Sequence, residues 1–167
     1  MTIITNLRIL LIAMWLGAAL FFSAIVAPGA FAVLRSYHLF NANEIAGAVV
    51  NPALSAVNVS GVIISLLLLL SVFFNRRKYR SRAFLAEVIS LLVMLAATGV
   101  GHWVIAAKLR ALRLALAVPI DQISSSDPRR LSFNSLHSNS VKALGIAMIA
   151  ALVAFACSAY STRTRIK

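Results

Sequence analysis

The chain has 167 residues, of which 61% are apolar and only 12% are charged, and its mean hydropathy is +0.93. A soluble domain carries about 25% charged residues, so this composition excludes a water-soluble globular protein and indicates a chain embedded in a lipid bilayer. The net charge of +12 does not indicate nucleic-acid binding, because the positive residues stand in short clusters between apolar runs, as membrane-helix flanks do beside anionic headgroups.

Four apolar runs are each long enough to cross a bilayer, which takes about 20 residues. Lipid offers no partner for backbone polar groups, so each run is expected to be helical. The sequence therefore predicts an all-α integral membrane protein, a bundle of four transmembrane helices forming a single domain over residues 1–167. The predicted spans cover residues 4–34, 45–74, 83–113 and 136–160.

The first run contains the pair Pro28-Gly29 and has two features of a secretory signal, Arg8 ahead of the apolar core and an A-x-A sequence at 30–32. The apolar core, residues 9–26, is longer than that of a usual signal, so the run is interpreted as a retained span. The ring of Pro28 crowds the preceding turn and removes one backbone hydrogen bond, which predicts a kinked first helix. The hydroxyl of Ser23 is expected to satisfy the freed carbonyl.

The second run carries small and polar residues along one predicted helix face. Because polar groups at membrane depth are unfavourable toward lipid, this face is expected to point into the bundle or toward a partner. It is interpreted either as packing and hydrogen bonding between helices, or as the lining of a small polar path or a cofactor edge. Its residues recur every three or four positions: Gly47, Asn51, Ser55, Asn58, Gly61 and Ser65.

The connection between the second and third runs is strongly basic. With four spans, this loop and both termini share one side, which carries nine positive residues against seven on the other side. The positive-inside rule therefore predicts that both termini are cytoplasmic. The loop is also expected to contact anionic headgroups through a surface cluster of Arg76, Arg77, Lys78, Arg80 and Arg82.

The third run is unusually long. Helical sequence continues from Ala83 to Val118, which at 1.5 Å per residue is about 54 Å and exceeds a hydrocarbon core of about 30 Å. This extended third helix is expected either to project beyond the membrane or to bend near Gly99 and Gly101, and to end at Pro119.

The fourth run is predicted to begin near Leu136, after the polar connector PIDQISSSDPRRLSF, which is expected to be a partner-facing or mobile loop. Within this run, Ser140 shares one face with a seam of small residues suited to close packing. The seam consists of Ala147, Ala151, Ala154 and Ser158.

Three ionisable groups in the last two runs suggest chemistry. Glu87 shares a face with Ser90 and Thr98, one turn inside the basic loop, and is interpreted as a carboxylate paired with a nearby arginine or as a protonatable group at the mouth of a pathway. His102 and His137 are predicted near one membrane surface, where they would form interfacial hydrogen bonds or act as ligands of a haem or chlorophyll. No recognised metal-binding spacing and no catalytic triad is readable, so neither a metal site nor an enzyme is predicted.

Several short motifs resemble a four-span membrane family catalogued as domain of unknown function 4149, which includes the transmembrane protein 205 group. The family has no settled biochemical activity, so the resemblance implies a four-span fold and marks positions of interest, with no reaction attached. The second run departs from the family pattern, because two asparagines and a proline interrupt it. The motifs are Trp15-Leu16-Gly17, Phe21-Phe22, Ala27-Pro28, Phe31, Ala46-Gly47, Arg130, Phe133, Leu136-His137 and Ser140.

The small number of polar and ionisable residues favours a non-enzymatic multi-pass protein. It is expected to be a structural or accessory subunit of a larger complex in a bacterial cytoplasmic membrane. Its expected partners are lipid and other membrane subunits or further copies of itself, and not nucleic acid. Two alternatives stay open. One is a small-solute transporter or channel that uses the polar face of the second run with Glu87. The other is a haem- or chlorophyll-binding subunit that uses His102 or His137.

Overall fold

The computed structural model describes residues 2–74, 81–116 and 118–163, with side chains for 3–74, 83–116 and 118–160. Within these ranges all regular secondary structure is helical. Four helical stretches are long and apolar enough to cross a membrane, which confirms the prediction of an all-α membrane protein with four transmembrane helices. We call them spans one to four: Ile3–Ser36, Ala42–Phe74, Ala83–Leu114 and Pro128–Tyr160.

Spans one and three are each divided by a short π-helical segment. Span one consists of α1 (Thr2–Phe21), a π segment (Phe22–Val26) and α2 (Ala27–Ser36), and span two is α3 (Ala42–Phe74). Span three consists of α4 (Ser81–Gly99), a second π segment (Val100–Ile105) and α5 (Ala106–Leu114). A single 3₁₀ turn (Ile120–Gln122) precedes span four, which is α6 (Pro128–Arg163).

The helices pack around a core of fully buried apolar side chains. In this bundle α4 packs against both α3 and α6, and α1 packs against α6. The small seam of span four faces inward, since Ala147, Ala151 and Ala154 are fully buried. Small side chains let the backbones of α4 and α6 approach closely, which is the usual basis of helix association in membranes. Larger core residues from the other spans complete the packing: Ile12, Leu68, Leu91 and Met94.

Span one changes its neighbour at the π segment that precedes Pro28. Before this segment α1 packs on α6, whereas after it α2 packs on α3 and has almost no backbone contact with α6. The wide turn, closed by a hydrogen bond from the Ala27 amide to the Phe22 carbonyl, leaves room for the Pro28 ring. The expectation for Ser23 is wrong, because its hydroxyl donates to the Leu20 carbonyl instead. Span two, by contrast, continues through its internal proline without interruption.

Span three ends at Leu114, one residue past its predicted end, whereas span four begins earlier than predicted. α5 ends at Leu114 and not at Pro119, and the chain then turns so that Ile120 and Ile123 are buried against the bundle. α6 begins at Pro128, two turns before the predicted start. Its N-cap is Asp127, whose carboxylate accepts the amide of Arg129 at 2.8 Å, and proline is well suited to the first position of a helix.

The predicted basic cluster falls largely outside the described residues. Arg76, Arg77, Lys78 and Arg80 lie in the gap between residues 74 and 81, and only the backbone of Arg82 is described. The cytoplasmic placement of both termini therefore stays a prediction.

Candidate functional site

A buried ion pair and a serine bonded to it join three spans near the ends that carry the chain termini. The guanidinium of Arg8 donates to Oε1 of Glu87, and the hydroxyl of Ser158 donates to the same oxygen. The three residues are 3%, 0% and 1% exposed, in the same order. An isolated charge at membrane depth is strongly unfavourable, so each of these charges depends on the other. The cluster ties α1, α4 and α6 together.

The carboxylate of Glu87 was expected to pair with a nearby arginine or to stand at the mouth of a pathway, and the structure pairs it with Arg8 of span one. The signal for this partner is present in the sequence. Arg8 falls on the stripe of span one that recurs every three or four residues and is buried throughout: Thr5, Arg8, Ile12, Trp15, Ala19 and Phe22. A charge on a core-facing stripe requires a partner inside the bundle.

The middle of the bundle is fixed by Trp15. Its indole Nε1–H donates to the Val57 carbonyl at 2.9 Å, which gives the polar atom of a buried tryptophan a partner. Its ring lies against Gly61, where an added Cβ would stand 3.0 Å from the ring and 2.7 Å from Cγ2 of Thr98. Gly61 is therefore the point at which spans one, two and three come into contact.

Two of the predicted polar residues form side-chain hydrogen bonds only within their own helices. The hydroxyl of Ser65 donates to the Gly61 carbonyl at 2.7 Å, and that of Thr98 donates to the Met94 carbonyl at 2.8 Å. Both side chains are fully buried. Their geometry is that of hydroxyls bonded one turn back along the helix, and neither lines a cavity described below.

Other residues of the polar face gather around a small chamber of about 60 Å³. In it, the hydroxyl of Ser55 lies 3.2 Å from Nδ1 of His102. Asn58 packs against Gly101, within the second π segment, where a Cβ would stand 3.3 Å from the amide nitrogen. Asn51, Ser140, Arg110 and Arg113 also line the chamber. A chamber of this size holds water-sized molecules only.

A much larger cavity, of about 600 Å³, lies between α2 and α6. It occupies the region where these two helices separate, and α3 and α5 form its back wall. Most of its surface is apolar, while Arg35, Arg113 and His137 stand at one end. We call it the lateral cavity, because it lies between α2 and α6, which belong to two different membrane-spanning helices. Its apolar walls include Phe22, Ala27, Leu54, Val141, Leu144 and Met148.

The polar end of the lateral cavity continues into a recess of about 180 Å³. Within it, the backbone amide and side-chain amide of Asn43 donate to Asp121 at 3.1 and 2.8 Å, and Arg35 donates to Oδ1 of Asn43 at 2.8 Å. The guanidinium of Arg130 donates to the Ile123 carbonyl. That of Arg113 lies over the Phe133 ring, 5.2 Å from its centroid.

The two histidines do not share a site. His102 lines the polar chamber and lies edge-on to Trp103, with ring centroids 5.0 Å apart. His137 lines the lateral cavity, 6.4 Å from the Phe31 ring. Among the residues described, no three His, Cys, Asp or Glu side chains are close enough to hold a metal. A haem or chlorophyll would therefore meet His102 in the chamber or His137 in the lateral cavity.

Comparison with known families explains the motifs of the first three spans. The family model described as Domain of unknown function (DUF4149) matches residues 10–117, or 108 of the 167 residues. The chain belongs to the DUF4149 family. No curated protein and no solved structure matches this DUF4149 protein significantly. The narrower resemblance to the transmembrane protein 205 group stays a prediction.

The matched residues of this DUF4149 protein include three of the four walls of the lateral cavity. Trp15, Pro28 and Arg113 lie within the match, whereas the α6 wall with His137 and Ser140 lies beyond it. Sequence reasoning did not predict this cavity, although it did single out Pro28, Phe31 and His137, which line it. Asn51 and Ser140 were predicted as part of a polar face, and they line both the chamber and the lateral cavity.

Proposed function

We propose that this DUF4149 protein is a non-enzymatic membrane protein that takes up an acyl-chain amphiphile from the bilayer in its lateral cavity. The observation that carries the proposal is the separation of α2 from α6, which leaves an apolar opening of about 600 Å³ between adjacent membrane-spanning helices. Ligand sites commonly measure about 300–1,000 Å³ and are mostly apolar with a few polar groups that fix orientation. The lateral cavity has both properties.

The length of the cavity suits an acyl chain. Its apolar walls reach from Arg35, at the end of α2, to Phe22, in the π segment. This helical stretch of 14 residues corresponds to about 20 Å at 1.5 Å per residue, and one leaflet of the hydrocarbon core is about 15 Å thick. An amphiphile with its head beside Arg35 would therefore place its tail alongside Leu144 and Met148.

The expected role as a structural or accessory subunit is part of this proposal. A protein that holds a lipid between its helices without altering it acts through what it binds, including other subunits or further copies of itself in a bacterial cytoplasmic membrane. Purification in mild detergent tests this part. A stable partner or oligomer is expected, and recovery of monomer alone would count against the role as a subunit.

Transport of a small solute is a second candidate, supported by the polar chamber that adjoins the lateral cavity. Asn51 and Ser140 line both. Because the chamber holds only water-sized molecules, the candidate is limited to protons, water or solutes of similar size. Asn58→Leu and Glu87→Gln are expected to abolish such a flux in liposomes, and an unchanged flux would exclude this mechanism.

The haem or chlorophyll alternative is tested by an absorption spectrum of the purified protein, and a colourless preparation that takes up no haem would exclude it.

Amphiphile uptake is tested by photocrosslinking in liposomes with a phospholipid that carries a diazirine on its acyl chain. Gly145 lines the lateral cavity, and an added Cβ there meets no atom within 4 Å, so Gly145→Phe is expected to fill the cavity without a clash. Gly17 is equally unobstructed but does not line the cavity, so Gly17→Phe is the matched control.

The expected result is crosslinking concentrated on the inner faces of α2 and α6, lost in Gly145→Phe and retained in Gly17→Phe. Crosslinks spread evenly over all lipid-facing residues, with no response to Gly145→Phe, would refute the proposal.

A further inference from the structure

We infer that the amphiphile is a phospholipid whose phosphate is bound by Arg35, Arg113 and Arg130 at the polar end of the lateral cavity. This inference rests on the proposed function, since it names the headgroup that the cavity accepts. The headgroup follows from the membrane depth of these arginines, from the balance of charge around them and from the continuity of the polar recess with the apolar walls.

The three arginines lie at one membrane depth because they stand at helix ends that meet on the same side. Arg35 is in the last turn of α2, Arg113 is in the last turn of α5, and Arg130 is in the first turn of α6. Span ends lie at the level of the lipid headgroups, where arginine side chains meet phosphate groups. The recess between these helix ends is therefore at the height of a lipid phosphate.

The arginines are only partly engaged by the protein. Among the described residues none of the three forms an ion pair with a carboxylate. Arg35 uses Nε for Asn43, and Arg130 uses one terminal nitrogen for the Ile123 carbonyl. The Nε of Arg113 is buried without a hydrogen-bond partner in the described part of the chain. Guanidinium forks with unused donors match the oxygens of a phosphate, often in pairs.

Among the described residues, the charges around the recess leave one positive charge without a counter-ion. Three guanidinium groups stand near two carboxylates. Asp121 lines the recess, where it already accepts two hydrogen bonds from Asn43. Glu44 lies on the far side of Arg113, in a separate depression of about 160 Å³. The phosphodiester of a phospholipid carries a single negative charge and would balance the cluster.

The same residues make a phospholipid a better occupant than a free phosphate ion. Phe31, Arg35, Arg113 and His137 line both the polar recess and the lateral cavity. A molecule bound at the arginines thus meets the apolar walls directly below them. Occupying both regions requires an anionic head that is covalently joined to an acyl chain. Phospholipids have this structure, and they form the bilayer around the protein.

The test compares two lipids with the same acyl chains, dioleoylphosphatidylglycerol and dioleoylglycerol, titrated onto the detergent-solubilised full chain and measured by native mass spectrometry. Only the first carries a phosphate. Arg113→Gln is the main variant, and Arg35→Gln is a second variant at an exposed side chain, in case the first fails to fold. Arg129→Gln is the matched control, because Arg129 is paired with Asp127 and lines neither the cavity nor the recess.

We expect the wild type to bind the phosphate-bearing lipid at least about tenfold more tightly than dioleoylglycerol, and Arg113→Gln or Arg35→Gln to lose about tenfold for that lipid alone. Arg129→Gln should bind both lipids as the wild type does. Equal affinity of the wild type for the two lipids, or equal effects of the three variants, would overturn the inference while leaving the proposed function standing. Binding of neither lipid would overturn both.

Discussion

The ion pair between Arg8 and Glu87 makes a quantitative prediction about the stability of the bundle. Both side chains are almost fully buried, and they join α1 to α4. Replacing one partner of a buried pair with an apolar residue leaves the other charge buried without its counter-ion, at a loss of about 3–5 kcal/mol. Replacing both partners with apolar residues of similar volume is often neutral or even stabilising, because neither charge then has to be desolvated.

We therefore expect Arg8→Met and Glu87→Leu each to lower the free energy of unfolding by about 3–5 kcal/mol, and the double variant to lie close to the wild type. Unfolding would be measured by titrating SDS into mild-detergent micelles and following helicity by circular dichroism. The coupling energy of the double-mutant cycle is the decisive quantity, since it isolates the interaction between the two side chains.

The pair Arg129–Asp127 provides the control for this cycle. It is also an arginine with a carboxylate, but its arginine side chain is 57% exposed. Exposed pairs are screened by water and salt, so its cycle should show a much weaker coupling than that of the buried pair. If the effects of Arg8→Met and Glu87→Leu simply add, the two side chains do not meet in the folded protein and the interpretation of span one as core-facing at Arg8 is wrong.

Three further predictions concern packing, capping and orientation. Gly61→Leu should lower the free energy of unfolding by about 1–3 kcal/mol in the same SDS titration through overpacking, whereas Gly17→Leu, at an unobstructed site, should not; equal losses would contradict the close approach at Gly61. Hydrogen bonds from Arg129 lower the pKa of Asp127, so the N-cap of α6 should be intact above the ordinary carboxyl pKa and lost as pH falls through the lowered value. Hydrogen exchange at the Arg129 amide, corrected for intrinsic rate, should show this pH dependence, and Asp127→Ala should remove it. Ser125→Cys, in a background without Cys157, should react with a membrane-impermeant maleimide from outside the cell, and labelling only after lysis would reverse the predicted orientation.

The spans themselves were predictable because a membrane imposes a length and a composition that can be read directly from sequence. The inward direction of much of the polar face was predictable for the same reason, since Asn58 and Ser65 are buried, although Asn51 is exposed. The residues that these side chains contact were harder to predict from the sequence. A spacing of three or four residues indicates which side of a helix faces inward, but does not indicate which helix it meets, so the arginine that pairs with Glu87 was not identified from the sequence.

The lateral cavity could not be predicted from the sequence because it depends on a change of neighbour along one continuous span. Pro28 indicated an irregular turn, but the separation of α2 from α6 follows from how α2 rests on α3. The early start of α6 was overlooked for a different reason. The segment from Pro128 to Phe133 is polar and was interpreted as loop, although the Asp127-Pro128 pair is a common helix start.

The π segment at Phe22–Val26 gives the molecule two unlike halves along the membrane normal. In the half that carries the termini, the helices close around Arg8 and Glu87, and in the other half the bundle has a side entrance. On the proposed function, only one monolayer of the membrane can supply the bound molecule. The lipid bound to the protein would then reflect the composition of that monolayer alone. Two membranes with the same overall lipid composition, but with their two monolayers exchanged, would therefore load the protein with different lipids.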